Sequence, residues 1–174
     1  MAPTGRHPRH AALNDIIKRT CSSINVPTIL EPKGMFRSDR KRADGLSLIP
    51  WSRGKCLLWD ATCVDPCCAS YLYISSKSAG AAAAHAEEKK RDLYHEVTHL
   101  YHFVPFAVET LGVFGEEALL LVKELGSRLQ ESTGEPRSTA FLTQRLSIAI
   151  QIGNAASILA TTPISNKFYE IYYL

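Results

Sequence analysis

The chain has 174 residues, of which 45% are hydrophobic, and this fits one globular domain with a buried core. Its net charge of +3 is mildly basic, which permits contact with nucleic acid without requiring it. The cysteine count is odd, at five, and the N-terminus lacks an apolar core, which argues against a secreted disulfide scaffold. No apolar run reaches the roughly 20 residues that a membrane span needs. We therefore expect an intracellular protein, nuclear or cytoplasmic.

The apolar pattern predicts helices and strands that are mixed along the chain. In chain order it predicts a disordered terminus over 1–9, a helix over 10–23, strands over 26–30, 46–49 and 56–62, an irregular segment over 63–79, a helix over 80–100, a strand over 102–108, helices over 116–130 and 136–160, and an irregular tail over 161–174. The strand over 56–62 is apolar on both faces, which is typical of a central strand, whereas Pro105 favours an edge position for the strand that contains it. This order predicts a single α/β domain over residues 10–160.

Two aspartates adjoin the second and third predicted strands. Asp44 precedes the run over 46–49, and Asp60 lies within the run over 56–62, so both belong to a predicted hairpin. Neighbouring strands lie about 5 Å apart, so both carboxylates can approach one divalent ion. Each aspartate alone also fits a turn or strand-end residue.

Basic residues are concentrated in the part of the chain before Asp60. Eleven Lys and Arg residues stand there against four Asp and Glu residues. The predicted acidic pair therefore lies in a positive field that attracts phosphate. The basic residues that we expect to contact a DNA backbone are Lys18, Arg19, Arg40, Lys41 and Arg42.

Five stretches carry a resemblance to a known group of nucleases. They are HAALNDIIK at 10–18, KRADG at 41–45, LWDAT at 58–62, YHFVPFAVET at 101–110 and RLSIAIQ at 145–151. In this order and spacing the chain resembles the restriction-endonuclease-like PD-(D/E)XK nucleases. It most resembles the endonuclease domain in the C-terminal region of reverse-transcriptase polyproteins from animal non-LTR retrotransposons. The resemblance implies a restriction-endonuclease-like core of helix, three strands, helix and strand, followed by two C-terminal helices.

The resemblance also implies a Mg²⁺-dependent (or Mn²⁺-dependent) endonuclease that cuts DNA. Asp44, Asp60 and the Ala61 backbone carbonyl match the metal ligands, and hard cations prefer such oxygen ligands. Lys90, in the stretch EKKRDLY at 88–94, matches the catalytic lysine, and Lys89 is the alternative. The implied partners are DNA and the reverse transcriptase or RNA of the parent element.

Two further side chains are candidates for the same site. Glu31 ends the first predicted strand and would add a third carboxylate. His10 and Asn14 lie one turn apart on the first predicted helix, from which they can reach the strands.

The chain departs from the nuclease pattern at three positions. Ala43 stands where the family has proline, Thr62 where other superfamily members have their lysine, and Leu93 where a second lysine would stand. Thr62 and Leu93 favour an alternative function, that of a degenerate, catalytically inactive remnant that still binds DNA.

A second metal motif competes with the acidic pair. Residues 95–99 read HEVTH, a literal HExxH, which on an α-helix places two histidines one turn apart beside a glutamate. This is the alternative hypothesis of a zinc metallopeptidase. The strand predicted from His102 leaves little room for a helix after the motif, and no third ligand follows at a suitable spacing.

Overall fold

A computed structural model describes residues 6–33 and 42–161, which form a mixed α/β domain with a four-stranded sheet. The strands are β1 (Thr28–Leu30), β2 (Gly45–Ser52), β3 (Lys55–Val64) and β4 (His102–Glu109). The helices are α1 (Arg6–Ser23), α2 (Leu72–Ser75), α3 (Ala81–Leu93), α4 (Glu116–Thr133) and α5 (Ser138–Thr161), and a 3₁₀ turn occupies His95–Val97. Within the described ranges, no helix is both long and apolar enough to cross a membrane.

The sheet has the strand order β1-β2-β3-β4, antiparallel except for the parallel pair β3 and β4. β3 is therefore central, as its apolar pattern predicted, and β4 with Pro105 lies at the edge, as also predicted. Arg53 and Gly54 join β2 to β3 with φ of 48° and 75°, the left-handed pair that a tight hairpin turn requires. Two irregularities in β2, on either side of Pro50, shift the register beyond this turn, and Gly45 lies opposite Trp59.

Helices cover both faces of the sheet. Successive strand residues point to opposite faces, and on β3 Leu57, Trp59 and Ala61 pack in the core formed with α1, α4 and α5. Leu58 packs on the other face, against Tyr94 and Val97 beyond the end of α3. Each fully buried aliphatic side chain contributes about 1.5–3 kcal/mol to folding. Because Asp60 shares its face with Leu58, this alternation directs its carboxylate towards α3.

Two buried glutamates fix the helices around the sheet. Glu109, at the end of β4, accepts hydrogen bonds from the Ala82 and Ala83 N–H groups at the start of α3, at 3.1 and 3.4 Å. Glu87 of α3 accepts bonds from the Glu117 and Ala118 N–H groups at the start of α4, at 3.2 and 3.0 Å. Each carboxylate satisfies amides that an α-helix leaves unpaired at its N-terminus. The position of α3 over the sheet is thereby fixed from both neighbouring elements.

Two element predictions near the start of the chain and after β3 need correction. The N-terminal segment over 1–9 was predicted to be disordered, but α1 begins at Arg6; residues 1–5 lie outside the described part. The segment over 63–79 was predicted to be irregular, yet it contains the short helix α2. The tail prediction falls almost entirely on residues 162–174, which also lie outside the described part.

The predicted helix over 80–100 is shorter than expected. α3 ends at Leu93, because Tyr94 turns into the core and stacks on Phe103 with the ring centroids 4.5 Å apart. Val97, three residues later, is buried in the same cluster. A spacing of three suits the 3₁₀ turn that forms there, in which side chains at i and i+3 superpose. The chain can then enter β4 beside β3.

Candidate active site

Asp44 directly precedes β2, and β3 is not paired with β2 beyond this point. β2 begins at Gly45, and the Asp44 N–H donates to the Trp59 carbonyl at 3.0 Å. Its Oδ2 accepts bonds from the Ala61 N–H at 2.6 Å and from His10 Nε2 at 2.9 Å. Burial raises the pKa of this carboxyl, but the hydrogen bonds and the charge of His10 outweigh it and hold the pKa below the usual value. Asp44 therefore remains ionised.

A chain of hydrogen bonds orients His10. The Trp59 indole N–H, which can only donate, bonds to Asn14 Oδ1 at 2.9 Å and so directs the Asn14 amide nitrogen towards His10. That nitrogen lies 3.4 Å from His10 Nδ1, a weak contact in which Nδ1 accepts. The proton of the neutral ring is then on Nε2, which faces Asp44. The Asp44 hydrogen bond also raises the pKa of His10 against the effect of burial.

Asp60 faces α3, where two donors meet it. Lys90 Nζ lies 2.7 Å from Asp60 Oδ1, and the Tyr94 hydroxyl also bonds to this carboxyl. Asp60 is only 6% exposed. Burial raises its pKa, the nearby charge of Asp44 adds to this, and Lys90 and Tyr94 oppose it; the pKa stays above the usual value. Of the three N–H groups of the Lys90 ammonium, one is used by Asp60.

The two acids belong to one electrostatic group. The charge of Asp44 raises the pKa of Asp60, and the charge of Asp60 raises the pKa of His10. In an extended strand the N–H and C=O of one residue point to the same side. Since the Ala61 N–H binds Asp44, the Ala61 carbonyl faces the same side of β3 as that carboxylate. Helix α1, the start of β2, strand β3 and helix α3 thus contribute side chains to the candidate site.

Two of the additional candidates lie outside this group. Glu31 is exposed, and its carboxylate makes no ion pair or hydrogen bond with another described residue. Its backbone N–H donates to the Asp44 carbonyl at 2.9 Å. Lys89 lies over the ring of Tyr71, 5.8 Å from its centroid, whereas the contact with Asp60 is made by Lys90. Neighbouring helix residues point about 100° apart, so only one of the two lysines can face the sheet. That lysine is Lys90.

The basic residues proposed for DNA contact are only partly described. Lys18 and Arg19 are exposed on α1, about two turns beyond His10, and Arg19 pairs with Asp15 at 2.7 Å. Arg42 is exposed two residues before Asp44. Arg40 and Lys41 lie outside the described residues.

The HExxH segment does not have the geometry that a zinc peptidase requires. The motif needs one continuous α-helix through both histidines, but α3 ends at Leu93 and the segment is a 3₁₀ turn followed by other turns. His95, Glu96 and His99 are all exposed, and His95 Nδ1 lies 2.7 Å from the Asp92 carbonyl oxygen. The expected pair of helical ligands is wrong for this part of the chain.

Tyr94 is the site residue that sequence reasoning did not select. It is 1% exposed, and its hydroxyl donates to Asp60 from the core. Lys90 and Tyr94 stand four residues apart, the spacing that puts two helical side chains on one face. That spacing was the available signal.

The donor set suits a hard divalent cation. Two carboxylates and the Ala61 carbonyl are oxygen ligands, which Mg²⁺ prefers, and Mg²⁺ usually keeps several waters beside one or two carboxylates. Across residues 6–33 and 42–161, no three His, Cys, Asp or Glu side chains are grouped to hold a metal ion. Asp44 and Asp60 would therefore form a two-carboxylate site without a third side-chain ligand.

Comparisons with known proteins identify no family for this chain. The sequence matches no protein-family model and no curated protein.

Proposed function

We propose that this chain is a Mg²⁺-dependent (or Mn²⁺-dependent) DNA endonuclease domain with a restriction-endonuclease-like core, derived from a retrotransposon reverse-transcriptase polyprotein. The observation that carries the proposal is that Lys90 Nζ lies 2.7 Å from Asp60 Oδ1, while Asp44 binds the N–H of Ala61, the residue next to Asp60, at 2.6 Å. Asp44, Asp60 and Lys90 come from different elements, 16 and 30 residues apart along the chain. The observed order of a helix, three strands, the short helix α2 and the longer α3, and then a strand parallel to β3, supports the proposed core.

Each side chain has a distinct task in the proposed reaction. Asp44, Asp60 and the Ala61 carbonyl would hold the cation, which would supply an acidified water and charge neutralisation at the phosphate. His10 keeps Asp44 ionised and fixes its orientation through Nε2. Lys90, a quarter exposed, has N–H groups left to bind a phosphate oxygen or to orient the attacking water.

A cleavage assay with matched variants tests this function. The full chain is incubated with supercoiled plasmid and duplex oligonucleotides in Mg²⁺, in Mn²⁺ and in EDTA. We expect cleavage with either metal, none in EDTA, and a loss of about 10²-fold or more in Asp60→Asn, which keeps the side-chain shape but removes the charge. Asp92→Asn, an exposed residue of α3, is the control and should cleave normally.

The same assay separates the second candidate, an inactive DNA-binding remnant. It is favoured by Thr62, which shares the face of Asp60 two residues further on and stands where other superfamily members have their lysine. A remnant would bind DNA without metal and would leave it uncut. Cleavage that persists in Asp60→Asn would contradict both the assignment of the acids and the proposed mechanism.

A further inference from the structure

A groove of about 710 Å³ is lined by residues next in the chain to those of the candidate site. Thr62 and Cys63 of β3 form part of its wall, on the stretch of the strand that β2 does not cover. Thr62 follows Asp60 by two residues on the same face, a separation of about 7 Å. Arg9, the residue before His10, also lines the groove. The groove therefore continues from the place where we propose that the phosphodiester is cut.

The hydrogen-bond partners of the Arg9 guanidinium in this groove are uncharged side chains. Its Nη1 donates to Asn154 Oδ1 and to Ser157 Oγ, both at 3.0 Å. Its Nε is buried and has no hydrogen-bond partner. No ion pair to a carboxylate neutralises its guanidinium within the described residues; Asp65, also on the groove wall, accepts instead from the Cys67 N–H at 2.9 Å. The guanidinium therefore keeps donors and charge for a ligand.

Helix α5 holds Arg9 in this position. Asn154 Nδ2 donates to the Thr110 carbonyl at 2.7 Å, which fixes the amide so that its oxygen receives the guanidinium. Gly153 makes room for the arginine stem, because a Cβ there would lie 1.9 Å from Arg9 Cγ. A charged group held by neutral acceptors over a glycine loses little rotamer freedom when it binds an anion.

We propose that Arg9 binds a non-scissile backbone phosphate of the nucleic-acid strand, one or two nucleotides from the phosphodiester that is cut. The location of the cut rests on the proposed nuclease function; the anion site rests on Arg9 itself. Guanidinium groups suit phosphate oxygens through paired N–H donors. Hydroxyl groups of Thr62, Tyr71 and Thr110 line the same groove, and such groups commonly contact phosphates and sugars. Among the described residues that line the groove, Arg9 is the one Lys or Arg, whereas an acidic peptide would need several cations.

Binding without metal tests the site independently of cleavage. Fluorescence anisotropy of a labelled 20-nucleotide strand in EDTA compares wild type with Arg9→Gln. The control is Arg137→Gln, whose guanidinium rests on Phe141 near the other end of α5, 4.9 Å from the ring centroid. We expect Arg9→Gln to bind about 5–10-fold more weakly and to reduce the slope of log affinity against log salt by about 1. Equal affinity and equal slope in Arg9→Gln and Arg137→Gln would overturn the proposal, as would tighter binding of a polyglutamate peptide than of DNA.

A second pair of variants leaves Arg9 in place, in case Arg9→Gln does not fold. Ile158 lines the groove and is 60% exposed, so it tolerates charged substitutions. Ile158→Glu should weaken binding of the strand and Ile158→Lys should strengthen it. Identical binding by these two variants would contradict a phosphate in the groove.

A small substrate separates this inference from the proposed function. Bis(4-nitrophenyl) phosphate contains one phosphodiester and no neighbouring phosphate, so Arg9→Gln should lose less activity on it than on the oligonucleotide. Equal losses on both substrates would assign Arg9 to stability and overturn the proposal. If wild type hydrolyses neither substrate and Arg9→Gln still weakens strand binding, the nuclease proposal fails and the phosphate site stands.

Discussion

Replacing Lys90 by methionine tests the geometry of the site through stability, without requiring activity. The substitution keeps the length and the apolar stem of the side chain but removes the ammonium that lies 2.7 Å from Asp60 Oδ1. Lys89→Met is the matched control, because Lys89 is directed towards Tyr71. A difference between the two variants therefore reports the contact with Asp60.

The burial of Asp60 sets the size of the expected effect. Removing one partner of a fully buried ion pair costs about 3–5 kcal/mol, because the other charge stays in a medium of low polarity. The side chain of Asp60 is 8% exposed but that of Lys90 is 25% exposed, so water can enter the place of the ammonium, and Tyr94 still donates. We expect Lys90→Met to lose about 1–3 kcal/mol of unfolding free energy. Lys89→Met should stay within about 0.5 kcal/mol of wild type.

The effect should also depend on pH. Burial holds the pKa of Asp60 above its unfolded value of 3.8, and the loss of Lys90 raises it further. The cost of the buried charge is full above this folded-state pKa, decreases as the pH falls through it, and is absent below 3.8, where the carboxyl is neutral in both states. Lys90→Met should thus approach wild type in acid.

Urea denaturation followed by circular dichroism measures both effects, at about pH 8 and about pH 4.5. The geometric reasoning would be refuted by equal unfolding free energies for the Lys90 and Lys89 variants near pH 8. It would also be refuted by a gap between Lys90→Met and wild type that widens in acid.

Two further substitutions test the surroundings of the site. The hydrogen bond to Asp44 raises the pKa of His10 above 6.5, so the stabilisation that His10 gives is full below 6.5 and is lost as the pH rises through the folded-state pKa. The stability deficit of His10→Gln, measured by thermal melts, should therefore shrink from about pH 5 to about pH 9. A constant deficit would argue against this contact. Glu87→Ala should lower the unfolding free energy measured by urea denaturation by about 1–2 kcal/mol, because it removes the acceptor of two amides at the start of α4. Glu88→Ala is the control: the Glu88 side chain is 79% exposed, and the unfolding free energy should change by less than about 0.5 kcal/mol.

The parts of the site that could be predicted were those encoded by local periodicity. Asp44 and Asp60 adjoin strand-length apolar runs separated by a tight-turn signal, and the two strands pair as that signal predicted. His10 and Asn14 share a helical face, and both take part in the chain of hydrogen bonds that ends at Asp44. Their catalytic role stays a prediction.

The end of α3 could not be predicted, because no local signal marks it. Residues 93–99 contain neither glycine nor proline, and helix propensity alone would continue through the histidines. The helix stops because Tyr94 and Val97 gain burial against Leu58 and Phe103, residues that are distant in sequence. Long-range packing overrides local preference here, and it removes the helical spacing on which the HExxH interpretation depended.

The burial of Glu87 and Glu109 could not be predicted from the sequence for a related reason. Glu87 lies in the charged stretch HAEEKKRD at 85–92, a pattern that usually marks a solvated face. Its burial depends on the first turn of α4 arriving above it, and a Cβ on Gly115 would lie 2.2 Å from its Oε1. Only the tertiary arrangement reveals that this carboxylate is a helix cap.

The two acids of the site are held in opposite electrostatic states, and this difference bears on how the pair would work. Asp44 has a lowered pKa because His10 and the Ala61 N–H bind its charged form, whereas burial keeps the pKa of Asp60 raised in spite of Lys90. Paired groups whose environments separate their pKa values usually have different roles. In the proposed metal site, Asp44 would be the ligand that is charged at lower pH, and the capacity of the pair to hold a cation would rise with pH as Asp60 ionises. Since the same ionisation strengthens the contact between Asp60 and Lys90, the lysine is the side chain that a bound cation must displace or share.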